Sequence, residues 1–93
     1  MPKLTGYQQV GSVAAGSSAA SADLLGVCGW VTIYAKGADI RFRIGAGTAT
    51  ADSNSIFIGE KERLWLKVPF PGAQLSAIRD ASTSGSLEFL EVG

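Results

Sequence analysis

Carboxylates are the side chains of this chain that could carry acid–base or metal chemistry, because the sequence contains no histidine. Histidine is the most common general base and the most common metal ligand, so its absence removes both roles together. The eight acidic residues are spread along the chain, and no two stand at a spacing that requires a paired-carboxylate mechanism. The sequence therefore predicts a protein that is not an enzyme and that has no metal or other cofactor.

Two loop motifs and a lone thiol have some of the features of a site, and each is incomplete. Asp52-Ser53-Asn54 has the composition of a calcium loop, but it lacks the alternating ligands and the later glutamate, which favours an Asx turn. Gly45-Ala46-Gly47 is similar to the start of a phosphate cradle, yet neither a helix nor a lysine follows it directly. Cys28 is the only cysteine, and its strand-like surroundings favour a small buried hydrophobe over a reactive thiol.

Aromatic side chains are the remaining candidates for a binding surface. A flat group of them could stack on sugar rings, although aromatic residues in the strands of a small β-domain belong more often to the core or to an interface. The candidates are Trp30, Tyr34, Phe57, Trp65, Phe70 and Phe89.

Two arginines add charge to this set. Arg41 and Arg43 alternate with apolar residues, so they would lie on the opposite face of their strand and could pair with Glu88 and Glu91 across strands. Exposed pairs of this kind contribute only about 0–1 kcal/mol, so we expect the arginines to orient a subunit contact instead. The predicted interface residues are Trp30, Tyr34, Arg41, Arg43 and Trp65.

The elements that position these residues are short strands. In residues 40–44, apolar and charged side chains alternate strictly, and residues 63–68 repeat the pattern with leucines on one side. Residues 27–35 form the most β-prone run, and bulky groups on both of its faces predict a strand covered on both sides. Residues 36–39 have a turn composition, so we predict an antiparallel hairpin between the strands that flank them.

The rest of the chain is predicted to consist of a long loop and further short strands. Residues 45–55 form a loop that is long for a hairpin connection and therefore a candidate for a functional or mobile segment. Residues 75–79 could be a strand or one helical turn, and residues 86–92 predict a closing strand. Together these elements predict an all-β fold, a small antiparallel β-sandwich or jelly-roll-like domain, over residues 24–93.

Residues 1–23 are predicted to be an extended, flexible N-terminal arm. Residues 11–23 consist almost entirely of Gly, Ala and Ser, and this composition is typical of a flexible linker. It is equally typical of a segment that becomes ordered only against a neighbouring subunit or a capsid. A short early strand around residues 7–15 is also compatible with the sequence.

Bulk properties limit the partners. A chain of 93 residues is one domain and is small enough that oligomerisation would help to stabilise it. Eight basic and eight acidic residues cancel, with no basic run, so direct binding of nucleic acid is not expected. No apolar run is long enough to span a bilayer, so we expect no membrane partner.

A succession of motifs covers the chain from Val31 onward and leaves out the N-terminal Gly/Ala/Ser segment. The motifs are Ile40-Arg41-Phe42-Arg43-Ile44, Gly47-Thr48-Ala49-Thr50-Ala51, Phe57-Ile58-Gly59-Glu60, Leu64-Trp65-Leu66 and Leu75-Ser76-Ala77-Ile78-Arg79. This succession resembles small structural proteins encoded in the morphogenesis regions of tailed bacteriophages and prophages.

The resemblance implies a part of a virion. Such proteins occur as capsid decoration, or cement, proteins and as tail or fibre components. The expectation is therefore a capsid decoration protein that stabilises a phage head, with the major capsid protein and its own copies as partners and a homotrimer as the favoured oligomer. It would be assembled in the host cytoplasm and located on the capsid surface. A tail or fibre module and a carbohydrate-binding β-domain are the alternatives.

Overall fold

The computed structural model describes residues 9–24, 29–46 and 50–92, which form eight β-strands and no helix. Within these ranges, nothing forms a helix that could cross a bilayer. The strands are β1 (Gln9–Ala15), β2 (Ala20–Asp23), β3 (Trp30–Lys36), β4 (Ile40–Gly45), β5 (Ile56–Ile58), β6 (Arg63–Lys67), β7 (Gln74–Arg79) and β8 (Gly85–Val92).

The strands form two four-stranded antiparallel sheets that pack against each other. Sheet A has the order β1-β8-β3-β6, and sheet B has the order β2-β7-β4-β5. Among the described strands, only β4 and β5 are both consecutive and paired, because every other connection passes from one sheet to the other. Eight strands in two sheets with this order form a jelly roll, which confirms the predicted all-β sandwich or jelly-roll-like fold.

The core lies between the two sheets and is made of the inward-facing residues of both. Val31 and Ile33 of sheet A and Phe42, Leu75 and Ala77 of sheet B have at most 1% of their surface exposed. The faces predicted from the alternation in residues 40–44 are therefore confirmed, because Ile40 is also fully buried. The residues that alternate with them along each strand face away from the core.

The predicted hairpin over residues 30–44 is wrong. β3 belongs to sheet A and pairs with β6 and β8, whereas β4 belongs to sheet B and pairs with β5 and β7. The turn between them, where Gly37 has a φ of 87°, carries the chain from one sheet to the other. Both strands need an apolar cover on one face, and placing them in opposite sheets lets each supply it to the other.

The prediction of a flexible N-terminal arm is wrong over the residues that the structure describes, whereas the short early strand around residues 7–15 is confirmed over residues 9–15. Residues 9–15 form β1, which pairs with β8 along its whole length, and residues 20–23 form β2, which pairs with β7. Val13 and Ala15 of β1 are buried in the core. The Gly/Ala/Ser segment is thus part of the sandwich and not an arm; residues 1–8, which the prediction included, lie outside the described residues, as does Cys28.

The described end of the loop between β4 and β5, residues 50–55, packs on the outer face of sheet B. The backbone N–H of Ala51 donates to Ser76 Oγ at 2.9 Å, and that hydroxyl donates to the carbonyl of Ala20 at 3.0 Å. Asp52 forms the predicted Asx turn, because its Oδ1 accepts from the N–H of Asn54 at 2.9 Å. The loop therefore covers part of this face from outside.

Candidate binding face on sheet A

The outer face of sheet A brings together three aromatic side chains and several charged ones on neighbouring strands. The strand register places Thr32 between Trp65 of β6 and Leu90 of β8, and Tyr34 between Arg63 and Glu88. We call this surface the aromatic face. It consists of Val10, Trp30, Thr32, Tyr34, Arg63, Trp65, Lys67, Glu88 and Leu90.

Cations of β6 lie over the aromatic rings of β3. Arg63 Cζ is 5.2 Å from the centre of the Tyr34 ring, and Lys67 Nζ is 5.5 Å from the centre of the Trp30 ring. Each cation–π contact at an exposed site contributes about 0.5–1 kcal/mol. These contacts restrict the two rings before any partner arrives, which reduces the entropy that binding would cost.

Thr32 fixes the middle of the aromatic face. It has only 2% of its surface exposed although it points away from the core, so neighbouring side chains cover it. Its hydroxyl donates to the carbonyl of Leu64 at 3.1 Å and accepts from Arg63 Nη1 at 3.4 Å. The single hydroxyl therefore links the backbone of β6 to the guanidinium that lies over Tyr34.

The surface is shallow. Its depression, next to β1, has a volume of about 200 Å³ and is lined by Val10, Thr32, Tyr34, Arg63, Glu88, Phe89 and Leu90. Pockets for small ligands usually measure about 300–1,000 Å³. The aromatic face therefore has the shape of a docking surface with a small indentation and not that of an enclosed ligand pocket.

The five predicted interface residues are divided between two opposite faces. Trp30, Tyr34 and Trp65 come together on the aromatic face, as the outward positions of two paired strands. Arg41 and Arg43 lie on the outer face of sheet B, because they alternate with buried Ile40 and Phe42. The sequence did not show this division, since alternation within one strand does not reveal which sheet the strand joins.

The expected pairing of the arginines with Glu88 and Glu91 is wrong, because those glutamates belong to sheet A. Arg41 Nε instead donates to Asp80 Oδ1 at 2.8 Å, and Arg41 Nη1 donates to the carbonyl of Ser55 at 3.1 Å. Arg41 Cζ also lies 5.1 Å from the centre of the Phe57 ring. Arg41 is thus engaged in holding the β4–β5 loop onto sheet B.

Glu88 and Glu91 have different environments. Glu88 of the aromatic face forms an ion pair with Lys36, with the two charged atoms 3.7 Å apart. Glu91 is fully buried. Consequently neither of these carboxylates is available to the arginines of sheet B.

Several members of the aromatic face were not among the predicted interface residues. Arg63 and Lys67 alternate with Leu64 and Leu66, so the pattern that placed Trp65 on one side also places both cations there. Val10 and Leu90 carried no such signal, because their approach to Thr32 depends on the pairing of β1 and β3 with β8. That pairing joins segments from the two ends of the described chain.

The described ranges contain no cluster of side chains that could bind a metal ion. In residues 9–24, 29–46 and 50–92, no group of three or more Cys, Asp or Glu side chains is close enough to hold a metal ion.

Comparison with known proteins adds information on the fold. No protein-family model matches the chain, and no curated protein sequence matches it. Among solved structures, the prophage-derived protein YomS of SPBc2 is similar with a TM-score of 0.57 and 8% identity, covering 99% of this chain and 100% of that one. PirA is similar with a TM-score of 0.55 and 15% identity, covering 96% and 95%.

A third similar structure is the cupin domain of Cnp3 from Schizosaccharomyces pombe. Its TM-score is 0.56 and its identity 12%, and the match covers 99% of this chain but 57% of that one. At these identities the similarity concerns the fold alone. The chain shares its small two-sheet architecture with proteins that include a prophage-derived protein and a cupin domain.

Proposed function

We propose that the chain is a structural protein of a tailed-phage or prophage particle, and within that class a capsid decoration protein. Its partner would be the major capsid protein, and its place the outer surface of the head, after assembly in the host cytoplasm. The aromatic face is the observation on which this proposal rests. The sequence resemblance to phage structural proteins and the full-length similarity in fold to a prophage-derived protein support it.

The aromatic face has the composition of a protein-docking surface. Tyr, Trp and Arg are enriched among the residues that dominate the energy of protein–protein interfaces, and Trp30, Tyr34, Trp65 and Arg63 are arranged on two neighbouring strands. The surface is shallow, and the cations above two of its rings fix their positions. A capsid offers many copies of one binding site, so even a modest affinity per site could give high occupancy of the shell.

The described strands of sheet B carry one aromatic ring on their outer face, Phe57 beside Arg41, whereas the aromatic face carries three rings on two neighbouring strands. The outer face of sheet B is partly covered by the β4–β5 loop through Ala51, and Arg41 donates hydrogen bonds to Asp80 and to the carbonyl of Ser55. We therefore propose that attachment uses the aromatic face, and that self-association as a homo-oligomer accompanies it.

The proposal is tested by particle binding with matched variants. Trp65→Ala removes the ring of the aromatic face that lies beside Thr32, and Phe57→Ala removes a ring of sheet B that is 44% exposed. We expect Trp65→Ala to weaken co-sedimentation with undecorated particles by at least tenfold, which corresponds to the loss of about 1.4 kcal/mol or more when an aromatic interface residue is truncated. Phe57→Ala should bind as the parent does.

Electron microscopy of purified particles carrying a labelled copy of the protein separates the head from the tail. Label on the head surface would agree with the proposal, whereas label on the tail tip or fibres would favour a tail or fibre module. Absence of the protein from purified particles would contradict both. Equal loss of binding in the two alanine variants would show that the aromatic face is not the attachment site.

Carbohydrate binding is a second candidate because three aromatic residues share one face with polar groups at an indentation. Rings of this kind can stack on the apolar faces of sugars. A titration with bacterial surface glycans, followed by the fluorescence of Trp30 and Trp65, would show a saturable change that Trp65→Ala reduces. A change that persists unaltered in the variant would place the sugar elsewhere.

A further inference from the structure

The four edge strands of the sandwich differ in how well they are protected against pairing with another chain. Sheet edges carry unpaired backbone groups, and proteins protect them with charges, prolines or short length. β5 has three residues and β2 has four, ending in Asp23. β6 begins with Arg63 and ends with Lys67. These three edges therefore show the usual protection.

β1 shows none of it. The strand has seven residues, Gln9–Ala15, with no charge and no proline. It pairs with β8 on one side over all seven positions. On its other side the described residues supply only a bridge between Ala15 and Ala19 at its end. Residues 9–14 thus form the longest uncharged open edge in the described part of the chain.

The side chains of β1 leave room for another backbone. Ser12 and Ala14 are small and exposed, and Val10 has 76% of its surface exposed. Small side chains on an edge allow a second strand to approach along its whole length. Covering the side chain of Val10 would be favourable, because it removes exposed apolar surface from water.

We propose that β1 is a self-association edge, at which β1 of a second copy adds to sheet A in the antiparallel direction. A two-fold axis through Ser12 would place Ser12 opposite Ser12, Val10 opposite Ala14, and Gly11 opposite Val13. All three pairs keep outward residues with outward residues and inward residues with inward residues. The result is one continuous eight-stranded sheet shared by two copies.

A second copy is the partner that this strand fits best. Two-fold pairing brings every side chain against a residue of the same strand, so a charged edge would face like charges at several positions. β1 contains no charged residue and meets itself without such repulsion. The exposed Val10 of each copy would cover Ala14 of the other. The two-fold axis makes this contact at two places, so both apolar outward residues of β1 are covered in each copy.

The same arrangement has a consequence for the aromatic face. Because β1 lies at the opposite edge of sheet A from β6, joining two copies through β1 places two aromatic faces side by side on one extended sheet. The pair would then be bivalent toward a repeating surface. The dimer, and not the trimer suggested by the resemblance, becomes the first assembly expected in solution. This inference does not depend on the capsid role.

The contact area of one strand edge is small, so the dimer should be weak. Interfaces below about 1,200 Å² in total are typical of transient complexes. We expect sedimentation velocity to show a reversible monomer–dimer equilibrium that shifts toward the dimer as the protein concentration rises. Hydrogen exchange of the backbone amides in residues 10–14 should slow over the same concentration range.

Charge variants at the two-fold axis provide the decisive experiment. Ser12→Lys would place two ammonium groups opposite each other, and Ser12→Glu two carboxylates, so each variant alone should be monomeric at concentrations where the parent dimerises. An equimolar mixture of the two should recover the dimer, because opposite charges then meet. Ser21→Lys, on the exposed edge strand β2, is the matched control and should dimerise like the parent.

The outcomes separate this inference from the proposed function. A parent that stays monomeric at millimolar concentration, or a dimer unaffected by Ser12→Lys, would overturn the β1 contact. A dimer that Trp65→Ala abolishes and Ser12→Lys leaves intact would move self-association to the aromatic face. If the parent dimerises through β1 yet does not bind particles, the capsid proposal fails and the β1 contact stands. Circular dichroism of each variant verifies that the sandwich is folded.

Discussion

Replacing Phe42 with alanine tests whether the inward face of β4 supplies the core. The side chain is 1% exposed and lies in the third strand of sheet B, flanked by Ala77 of β7 and Ile56 of β5. Truncation removes the ring from this position and leaves a cavity that the two sheets can fill only partly. Buried Phe→Ala substitutions typically cost about 3–5 kcal/mol, as the sum of the transfer and cavity contributions.

That cost is large relative to the stability of so small a domain. For 93 residues, a free energy of unfolding of about 5–14 kcal/mol is expected from the usual value per residue. Loss of about 3 kcal/mol would lower the melting temperature by at least about 12 °C in a domain of this size. The variant should therefore be distinctly less stable and, if the parent is at the low end of the range, partly unfolded at room temperature.

Urea denaturation monitored by tryptophan fluorescence is the suitable assay, since Trp30 and Trp65 both lie in sheet A. The expected result is a lower midpoint with an unchanged slope, because a change in slope would indicate altered compactness of the unfolded state. Phe57→Ala is the control in the neighbouring strand. Its ring is 44% exposed and lies beside Arg41, so its loss should cost about 1–2 kcal/mol.

The comparison of these two phenylalanines decides the interpretation. If Phe57→Ala destabilises the protein as much as Phe42→Ala, the inward and outward faces of sheet B have been assigned wrongly. A Phe42→Ala variant that melts within two degrees or so of the parent would contradict the burial of the ring.

Three further predictions concern β1 and the β4–β5 loop. Gly11→Ala should destabilise the fold, because its Cβ would lie 2.6 Å from Cζ of the Phe89 ring; thermal melting of this variant equal to that of the parent would show that the ring can move aside. Ser76→Ala should cost about 1–3 kcal/mol by leaving the N–H of Ala51 without its acceptor, and hydrogen exchange at that amide should accelerate; unchanged exchange would exclude the bond as an anchor. Deletion of the chain through the end of β1 should prevent folding, because it removes buried core residues and exposes the edge of β8; a cooperative melt of the truncated protein would refute this.

The inward and outward faces of most strands could be predicted from the sequence, because a strand's period of two residues is a local property. The alternation in residues 40–44 and 63–67 correctly separated Phe42 and Leu64 from Arg41 and Trp65. The choice of partner strand could not be predicted in this way. A four-residue turn can close a hairpin or carry the chain to the opposite sheet, and the outcome depends on where the other strands lie.

The order of the N-terminal strands could not be predicted from their local composition. Gly, Ala and Ser have low strand propensity, so residues 11–23 resemble a linker when they are considered alone. Their order comes from long-range contacts. β1 pairs with β8, so that Val13 lies opposite Leu87, which is about 75 residues later in the chain. Small residues suit this place because Phe89 packs directly over Gly11. Tertiary context has therefore overridden local propensity.

The candidate site was predictable in its residue types and not in its location. Trp30, Tyr34 and Trp65 were identified from their chemistry alone, and the structure brings them onto one face. Arg41 and Arg43 were expected on the same interface, but the unseen change of sheet between β3 and β4 sends them to the opposite side. One misassigned connection thus divides a set of residues that was otherwise correctly oriented within each strand.

The difference between the two outer faces follows from how each outward side chain is used. On sheet B, Ser76 and Arg41 both bind the β4–β5 loop, so that loop covers part of the face and these two polar groups are occupied within the chain. On sheet A, the cations of β6 bind the rings of β3 and fix them while leaving the face shallow and partly exposed. Side chains that bind this loop are engaged within the chain, whereas Trp30, Tyr34 and Trp65 are partly exposed. Contacts that cover part of one face of this sandwich therefore stabilise the fold, and contacts that order the other face act on the rings that we propose for association.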